Sequence, residues 1–419
     1  MTKQVTFEKI VGGGKALGYL DGKPCFAAGP LPGEVCDVVV KREKAGFAEA
    51  NVARIVQPVA ERSLPAEDHY LECSPWQNVV YDRQLELKRA MLAEAYSGPK
   101  LHLPVTAMTG AKKQIGYRNK LEFSLRKGEH VDLAFHARGS YEELVALPEG
   151  CRLGSEAINK AALAIAGRIE ALKLAGYVET VTVRQSVANG GLLGVVALHQ
   201  VPKRAWDDLG GLGLAGLVVT RVRHRDAHEL VWHDGELQLE EKIAGLNLAY
   251  PYDGFFQTNP PAFEDALAGI LAAIPKGANV VDLYGGVGSI GLAVAGRADS
   301  VVGVEVNLSS VEWSLGNADR NGIVNYTAVH APAERLEVKV LRGADCVIVD
   351  PPRAGLHGRV IDSLLEAGPA RIVYLSCNPA TQVRDVQLLS EAYRAQGVDG
   401  FDFYPGTLHL ESLVVLDRI

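Results

Sequence analysis

The chain has 419 residues, of which 47% are hydrophobic and 22% are charged, and this balance excludes an intrinsically disordered protein. No apolar run approaches the roughly 20 residues that a membrane-spanning helix needs, so we expect no membrane protein. The formal net charge of −7 argues mildly against nucleic-acid binding, because phosphate contacts require Lys and Arg.

Residues 1–60 read as short strands with alternating polar and apolar side chains, separated by Gly and Pro turns. This pattern predicts a small closed barrel, a fold that commonly binds single-stranded or looped RNA. The start of the segment lacks the apolar core of a signal peptide, and we therefore expect a cytoplasmic protein with reduced cysteines.

Residues 61–245 show a mixed pattern that predicts one α+β domain. A helix is predicted from Tyr81 to Tyr96, where apolar residues recur at helical spacing, and strand and helix patterns follow. The basic residues of this domain form two clusters: Lys112, Lys113, Arg118, Lys120, Arg126 and Lys127, and then Arg221, Arg223, His224 and Arg225. Solvated surface charge and RNA contact are both open interpretations of these clusters.

Residues 246–419 repeat a strand, a loop and a helix. Continuous runs of Val, Ile and Leu between helices predict a mostly parallel sheet that is covered on both faces. Ligands of such sheets bind outside the carboxyl ends of the strands, and each conspicuous motif of this segment falls at such an end.

The first of these motifs is a glycine-rich loop that runs from Asp282 to Gly288 between a buried strand and a helix. Its glycines allow close approach of the backbone to a ligand, and Glu305 ends the next strand, where a carboxylate can bind ribose hydroxyls. The glycine spacing also fits a dinucleotide, so an NAD-dependent enzyme is a rival. Asp282 favours S-adenosylmethionine, because a carboxylate attracts its ammonium and sulfonium groups and would repel a pyrophosphate.

Two further strand ends carry candidate chemistry. Asp350 and Arg353 flank two prolines that fix the backbone, and Arg353 suits a phosphate or a uracil oxygen better than an amine substrate. Cys377 ends the next strand. Methylation of carbon 5 of uracil needs a thiolate that adds to carbon 6, and a base that removes the carbon 5 proton. Cys377 fits the first role, since the charge of Arg353 or of a positive cofactor would favour its thiolate, and Glu411 fits the second.

Taken together, these segments resemble the RNA uracil-5-methyltransferase family. The matching stretches occur in the family's order: FFQTN, DLYGGVGSIGL, VVGVEVN, VDPPRAGL, YLSCNP and LHLE. The resemblance implies a Rossmann-like class I methyltransferase domain, preceded by an α+β domain and by an OB-like barrel of the TRAM type. It implies these cofactor contacts: Gln257, Tyr284, Glu305 and Asp350. It also implies Cys377 as nucleophile, Glu411 as base, and Arg118 as an RNA contact, and we expect Lys120 and Arg353 to share this last role.

The barrel bears on the expected substrate. Family members with a TRAM domain act mostly on large ribosomal RNA, so the resemblance favours 23S ribosomal RNA over transfer RNA. We expect the enzyme to be a monomer. Two rival hypotheses are an RNA amine methyltransferase and an RNA-binding assembly factor without catalysis. The intact set of Cys377, Glu411 and Asp350 argues against the second.

The sequence departs from the family at the cysteines that hold an iron–sulfur cluster in many relatives. Many relatives hold a four-iron cluster through three clustered cysteines and a fourth one downstream. In this sequence Cys151 fits the fourth position, and of the three only Cys73 remains. Because two thiolates cannot complete a site of four cysteines, we predict no iron–sulfur cluster and no metal site.

Overall fold

The computed structural model of the chain describes residues 2–11, 13–203, 206–224 and 227–419. Arg225, a member of the second basic cluster, lies outside the described residues. Among the residues that the structure describes, no helix combines the length and the apolar character needed to cross a bilayer.

The N-terminal segment forms a closed five-stranded barrel in the order β1-β2-β3-β5-β4, in which β1 also pairs with β4. Its strands are β1 Lys3–Val11, β2 Lys15–Leu20, β3 Lys23–Ala28, β4 Val35–Glu43 and β5 Ala48–Gln57. Alternate residues such as Val5 and Phe7 point inward and are almost fully buried, which is the reason why this alternating sequence closes on itself. The predicted barrel is confirmed.

The central segment contains a seven-stranded sheet in the order β11-β10-β9-β12-β13-β14-β15, with one long helix packed against it. Ser155 caps this helix, since its side chain accepts a hydrogen bond from the amide of Ile158. The helices are α1 Tyr70–Cys73, α2 Tyr81–Ala95 and α3 Glu156–Ala171. The strands are β6 Ser97–Gly98, β7 Leu101–His102, β8 Val105–Thr109, β9 Lys120–Lys127, β10 Val131–His136, β11 Leu144–Ala146, β12 Val178–Gln185, β13 Leu192–Leu198, β14 Gly216–His224 and β15 Ala227–Gly235.

The C-terminal segment forms a mostly parallel sheet in the order β20-β19-β18-β21-β22-β24-β23, with β24 antiparallel to both of its neighbours. Its strands, after the hairpin of β16 Gln238–Ile243 and β17 Leu246–Pro251, are β18 Ala278–Leu283, β19 Ala298–Glu305, β20 Tyr326–His330, β21 Cys346–Val349, β22 Arg371–Ser376, β23 Tyr393–Phe401 and β24 Glu411–Arg418. The helices are α4 Pro260–Ala273, α5 Ser289–Ala295, α6 Leu308–Arg320, α7 Val338–Leu341, α8 Gly358–Ala367 and α9 Pro379–Leu389. This is the Rossmann-like arrangement that the sequence predicts.

One strand crosses from the central segment into the C-terminal sheet. β8 pairs in parallel with β23 and becomes the eighth strand at that edge. The helix before it, α2, contacts both β8 and α9. The boundaries at residues 60 and 245 stay predictions, since β8 joins the C-terminal sheet and the hairpin of β16 and β17 spans residue 245.

Candidate active site

The glycine loop turns between the end of β18 and the start of α5. Gly286 and Gly288 have φ angles of 54° and 88°, and Tyr284 is a non-glycine residue at φ 65°. Bulky residues rarely adopt this left-handed conformation, and such strain concentrates at binding sites. Glu305 holds the loop in place, because its carboxylate accepts hydrogen bonds from the amides of Gly286 at 3.0 Å and Asn307 at 2.8 Å.

Asp282 is a buried carboxylate below this loop, and neither of its oxygens has a regular hydrogen-bond partner among the described residues. Burial raises its pKa to about 7, although the nearby amide of Gly291 offsets part of this effect. Burial likewise raises the pKa of Asp350 to about 7. Two carboxylates without a cation fit a ligand with a positively charged end, as S-adenosylmethionine has.

Three of the four predicted cofactor contacts line one cavity beside this loop, namely Gln257, Tyr284 and Asp350. Glu305 is not among the residues that line this cavity. It contacts the glycine loop through the hydrogen bond that its carboxylate accepts from the Gly286 amide. Asp282 also lines the cavity, so the carboxylate that favoured a cationic cofactor faces the same space. The residues present therefore fit S-adenosylmethionine.

Cys377 lies between β22 and α9 and is partly exposed. Together with Arg353 it lines a second cavity of about 650 Å³, a volume within the range of ligand pockets. Burial and the charge of Glu411 raise the pKa of the Cys377 thiol to about 11, and Arg353 only partly offsets them. Arg353 lowers this pKa, in the direction that the sequence predicts, but burial, Glu411 and Asp350 together outweigh its effect.

Glu411 is the first residue of β24, and its side chain is almost fully buried. Burial raises its pKa well above the usual range, and the charge of Asp350 raises it further. The hydroxyl of Tyr404 donates a hydrogen bond of 3.4 Å to the Glu411 carboxylate. The structure thus brings together Cys377, Glu411, Asp350 and Arg353, which the sequence predicted from three separate motifs.

Arg118 and Lys120 line a third cavity of about 600 Å³, which shares Leu408 and His409 with the cavity of Cys377. The Arg118 guanidinium lies 5.8 Å from the centre of the Tyr404 ring, and its Nε atom is buried without a partner among the described residues. Lys120 forms an ion pair of 3.6 Å with Glu122. Both predicted RNA contacts therefore face a space that adjoins the candidate nucleophile.

Sequence reasoning missed Tyr404, which contacts both Glu411 and Arg118. It also gave no role to His409, whose ring packs edge-to-face on Tyr404 at 6.2 Å between centroids. Burial lowers the pKa of His409 to about 4, so this side chain is neutral at physiological pH. The only sequence signal for these residues was their position close to Glu411, which does not distinguish a site residue from a core residue.

The position of the family's iron–sulfur cluster holds a different set of side chains. The structure brings Cys73 and Cys151 together, and two further donors join them: Glu67 and His69. Their donor atoms all lie within 4.8 Å of one another. A four-iron cluster binds through four thiolates on separate iron atoms, and the two thiols of this group do not fit that requirement.

Comparisons with known proteins show the family and the fold of this chain. Residues 218–419 match the sequence model of the family described as tRNA (Uracil-5-)-methyltransferase. A relative from Nitratidesulfovibrio vulgaris, described as an uncharacterized RNA methyltransferase, is 32% identical over 100% of this chain and 96% of its own length. A second relative with the same description, from Lactobacillus johnsonii, is 30% identical over 96% of this chain and 95% of its own length.

Among solved structures, the chain is similar to the Pyrococcus abyssi tRNA (uracil-54, C5)-methyltransferase in complex with S-adenosyl-L-homocysteine. The TM-score is 0.79 at 22% identity, and the match covers 99% of this chain and 100% of that one. This likeness shows a common fold over the whole length, barrel included.

The fold, the enzyme class and the methyl donor S-adenosylmethionine that the sequence motifs predict are confirmed by these matches. The rival NAD-dependent dehydrogenase does not agree with them. The chain belongs to the RNA uracil-5-methyltransferase family.

Proposed function

We propose that this enzyme methylates carbon 5 of a specific uridine through a covalent bond between Cys377 and carbon 6 of the uracil ring. The observation that carries the proposal is the position of Cys377 in an open cavity beside Arg353, with Glu411 and Asp350 close enough to act on its thiol. The charge of Asp350 also acts on Asp282 beneath the glycine loop, and this links the cysteine to the cofactor cavity.

The residues proposed to hold the cofactor are Gln257, Tyr284, Glu305 and Asp350. S-adenosylmethionine supplies an electrophilic methyl group on a positively charged sulfur. Asp282, which is buried, and Asp350, which is partly buried, provide the opposite charge where little water screens it, so it attracts a cation more strongly than in water. Glu305 keeps the loop in its binding conformation.

In the proposed reaction the Cys377 thiol loses its proton to water in the cavity, and its sulfur bonds to carbon 6. This addition turns the ring into an enolate whose carbon 5 is nucleophilic. Carbon 5 would bond to the methyl group of S-adenosylmethionine as the bond between that methyl group and sulfur breaks, and S-adenosylhomocysteine would be the leaving group. The Glu411 carboxylate then takes the proton from carbon 5, the C5–C6 double bond re-forms, and the bond between carbon 6 and sulfur breaks. Burial makes ionised Glu411 a strong base, which suits this proton transfer.

The uridine must leave its stack to reach Cys377, as base-modifying enzymes require. Arg118, Lys120 and Arg353 are proposed to contact the RNA, since they line the two adjoining cavities. An arginine beside an aromatic ring, like Arg118 beside Tyr404, suits a flipped base or its phosphate. The domains proposed from the sequence, residues 1–60 and 61–245, would grip the remaining RNA.

The proposed substrate is 23S ribosomal RNA, on the ground of the TRAM-like barrel, and the proposed setting is a monomer in the cytoplasm. Transfer RNA is the second candidate. The specific observation in its favour is that an enzyme named for transfer RNA has the same fold over 99% of this chain, so a barrel occurs with that substrate as well.

The test is methylation of 23S ribosomal RNA and of bulk transfer RNA, both prepared without the modification, followed by mass spectrometry of the nucleosides. We expect 5-methyluridine in the ribosomal RNA and none with Cys377→Ala. Cys346→Ala, which changes a cysteine buried in β21, serves as the control and should keep activity. Methylated adenosine or cytidine as the product, or full activity of Cys377→Ala, would refute the proposal.

A further inference from the structure

A compact group of metal-type donors lies outside the active site. It connects the segment around α1 with the loop before α3, two parts of the chain that are far apart in sequence. The members of this donor cluster are Glu67, His69, Cys73 and Cys151. We propose that this donor cluster binds a single zinc ion. The ion would fix the wall of the cavity that Arg118 and Lys120 line, and its effect on RNA rests on the function proposed above.

The chemistry of the donors selects the metal. Two thiols, one imidazole and one carboxylate are the ligand types that zinc takes in tetrahedral sites, whereas magnesium and calcium prefer oxygen alone. In such a site the donor atoms lie roughly 3.3–3.8 Å apart, as follows from metal–ligand bonds of about 2.0–2.3 Å. Donors already within 4.8 Å of one another need only a small contraction to reach this geometry.

The distances between the donor atoms also distinguish a site for one metal ion from a site for an iron–sulfur cluster. Four ligands of an iron–sulfur cluster bind different iron atoms and therefore surround the width of the cluster. Donor atoms that converge within 4.8 Å leave space for one ion at their centre. The donor atoms therefore suit one ion and not a four-iron cluster, and this proposal replaces the expectation from the sequence that the chain has no metal site.

The Nε2 atom of His69 points to a missing ligand. It is buried and has no hydrogen-bond partner among the described residues, and its closest acidic neighbour is a Glu67 oxygen at 3.4 Å. A buried ring nitrogen without a partner is costly, and a metal ion would satisfy it. The side chains of His69 and Glu67 are only 11% and 8% exposed, so water has little access to this nitrogen.

Further residues orient the donors, as is usual behind metal ligands. The Glu67 carboxylate accepts hydrogen bonds from the amide of Arg152 at 2.6 Å and from the Gln77 side chain at 2.8 Å. The side chain of Asn159 accepts a hydrogen bond from the amide of Cys151 and donates one to its carbonyl, both at 2.9 Å. The donors are therefore held in place before any ion arrives.

The position of the donor cluster indicates what the ion does. Cys73 lines the cavity of Arg118 and Lys120, and its neighbours Leu71 and Glu72 line it as well. The helix α1 has only four residues and little core of its own, so a bond from Cys73 to a metal shared with Cys151 would fix this wall. None of the four donors lines the cofactor cavity.

The first test is metal analysis of the full-length protein from cells grown with zinc. We expect about one zinc per chain, lost in the Cys73→Ser and Cys151→Ser variants and kept in Asp68→Asn. Asp68 is the matched control, because it is an exposed carboxylate between Glu67 and His69. Absence of zinc, iron with sulfide in its place, or a disulfide between Cys73 and Cys151 would overturn the proposal.

A second measurement does not depend on how the variants fold. Wild-type protein is stripped with a chelator and titrated with Co²⁺, whose visible and near-ultraviolet spectrum reports tetrahedral geometry and thiolate ligands. We expect saturation at one Co²⁺ per chain with both features, and a Co²⁺ spectrum without thiolate bands would contradict it. Stripping should weaken RNA binding and leave S-adenosylmethionine affinity unchanged. Equal RNA affinity with and without zinc would refute the structural role.

Discussion

Lys88 on α2 donates a hydrogen bond of 2.6 Å to Asp402, and both side chains are fully buried. Lys88 also donates to the carbonyl of Tyr404 at 3.0 Å, and the amide of Tyr404 donates to Asp402 at 3.0 Å. This pair fixes the backbone of the residue whose hydroxyl contacts Glu411. The helix between the barrel and the central sheet therefore positions one side of the active site.

Replacement of Lys88 by Met leaves the Asp402 carboxylate buried without an opposite charge, with only hydrogen bonds from Tyr404 and Tyr81. We expect Lys88→Met to lower the free energy of unfolding by about 3–5 kcal/mol, as measured by urea denaturation. Lys112→Met removes an exposed pair with Asp265 and should cost no more than about 1 kcal/mol. Equal losses in the two variants would show that the buried pair has no special structural role.

The pKa of Asp282 predicts a dependence of stability on pH. In the unfolded chain this carboxyl ionises near pH 3.8, and in the folded protein near pH 7, because burial disfavours its charge. As the pH rises, the unfolded state therefore loses its proton first. The free energy of unfolding falls as the pH rises from 3.8 to about 7, by roughly 4 kcal/mol in total.

Asp282→Asn should remove this loss, so that its unfolding free energy exceeds that of the wild type at pH 8 and not at pH 4. The same variant should bind S-adenosylmethionine at least roughly tenfold more weakly, about 1.4 kcal/mol, because the opposite charge is gone. Thermal melts over this pH range and calorimetric titration check the two effects. Tight cofactor binding by the neutral variant would contradict the assigned role of Asp282.

The high pKa of Cys377 predicts slow reaction with iodoacetamide at neutral pH. The rate should rise with pH up to about 11, because only the thiolate reacts. S-adenosylmethionine should speed the reaction, since its positive charge offsets Asp350, whereas uncharged S-adenosylhomocysteine should not. The measurement is peptide mass spectrometry of Cys377 over time, with Arg353→Met as a slower variant. Identical rates with both cofactors would contradict the electrostatic coupling.

Much of the site could be predicted from the sequence because its motifs are local. The glycine loop, Asp350 and Cys377 each end a parallel strand, and neighbouring parallel strands bring their carboxyl ends to one edge of the sheet. No knowledge of the tertiary contacts was needed to place these three motifs together.

The remaining contacts join residues that are distant in sequence and leave no local pattern. Lys88 and Asp402 are separated by 314 residues, and β8 reads as part of the central domain until its pairing with β23 is seen. Glu67 and His69 are ordinary polar residues in the sequence, and only their approach to Cys151 gives them a common function. The pKa of Cys377 likewise depends on burial and on Glu411, which the cysteine motif does not contain.

Glu411 should matter for the chemistry and little for stability. Gln has nearly the shape of the Glu411 carboxyl and keeps an oxygen that can accept the hydrogen bond from Tyr404, so Glu411→Gln should unfold within about 1 kcal/mol of the wild type. Turnover should fall roughly 100- to 10,000-fold, because the base is lost. Glu240→Gln on the surface is the control. Normal turnover of Glu411→Gln would exclude this residue as the base.

The covalent bond from Cys377 is tested most directly with RNA in which 5-fluorouridine replaces uridine. In 5-fluorouridine, fluorine replaces the hydrogen that Glu411 would remove from carbon 5, so the enzyme cannot complete the elimination. The adduct that forms in the presence of S-adenosylmethionine should therefore persist through denaturation. Mass spectrometry of the digested complex should find the methylated nucleotide on the peptide that contains Cys377, and none with Cys377→Ala. A complete lack of adduct, or an adduct on another residue, would contradict the account.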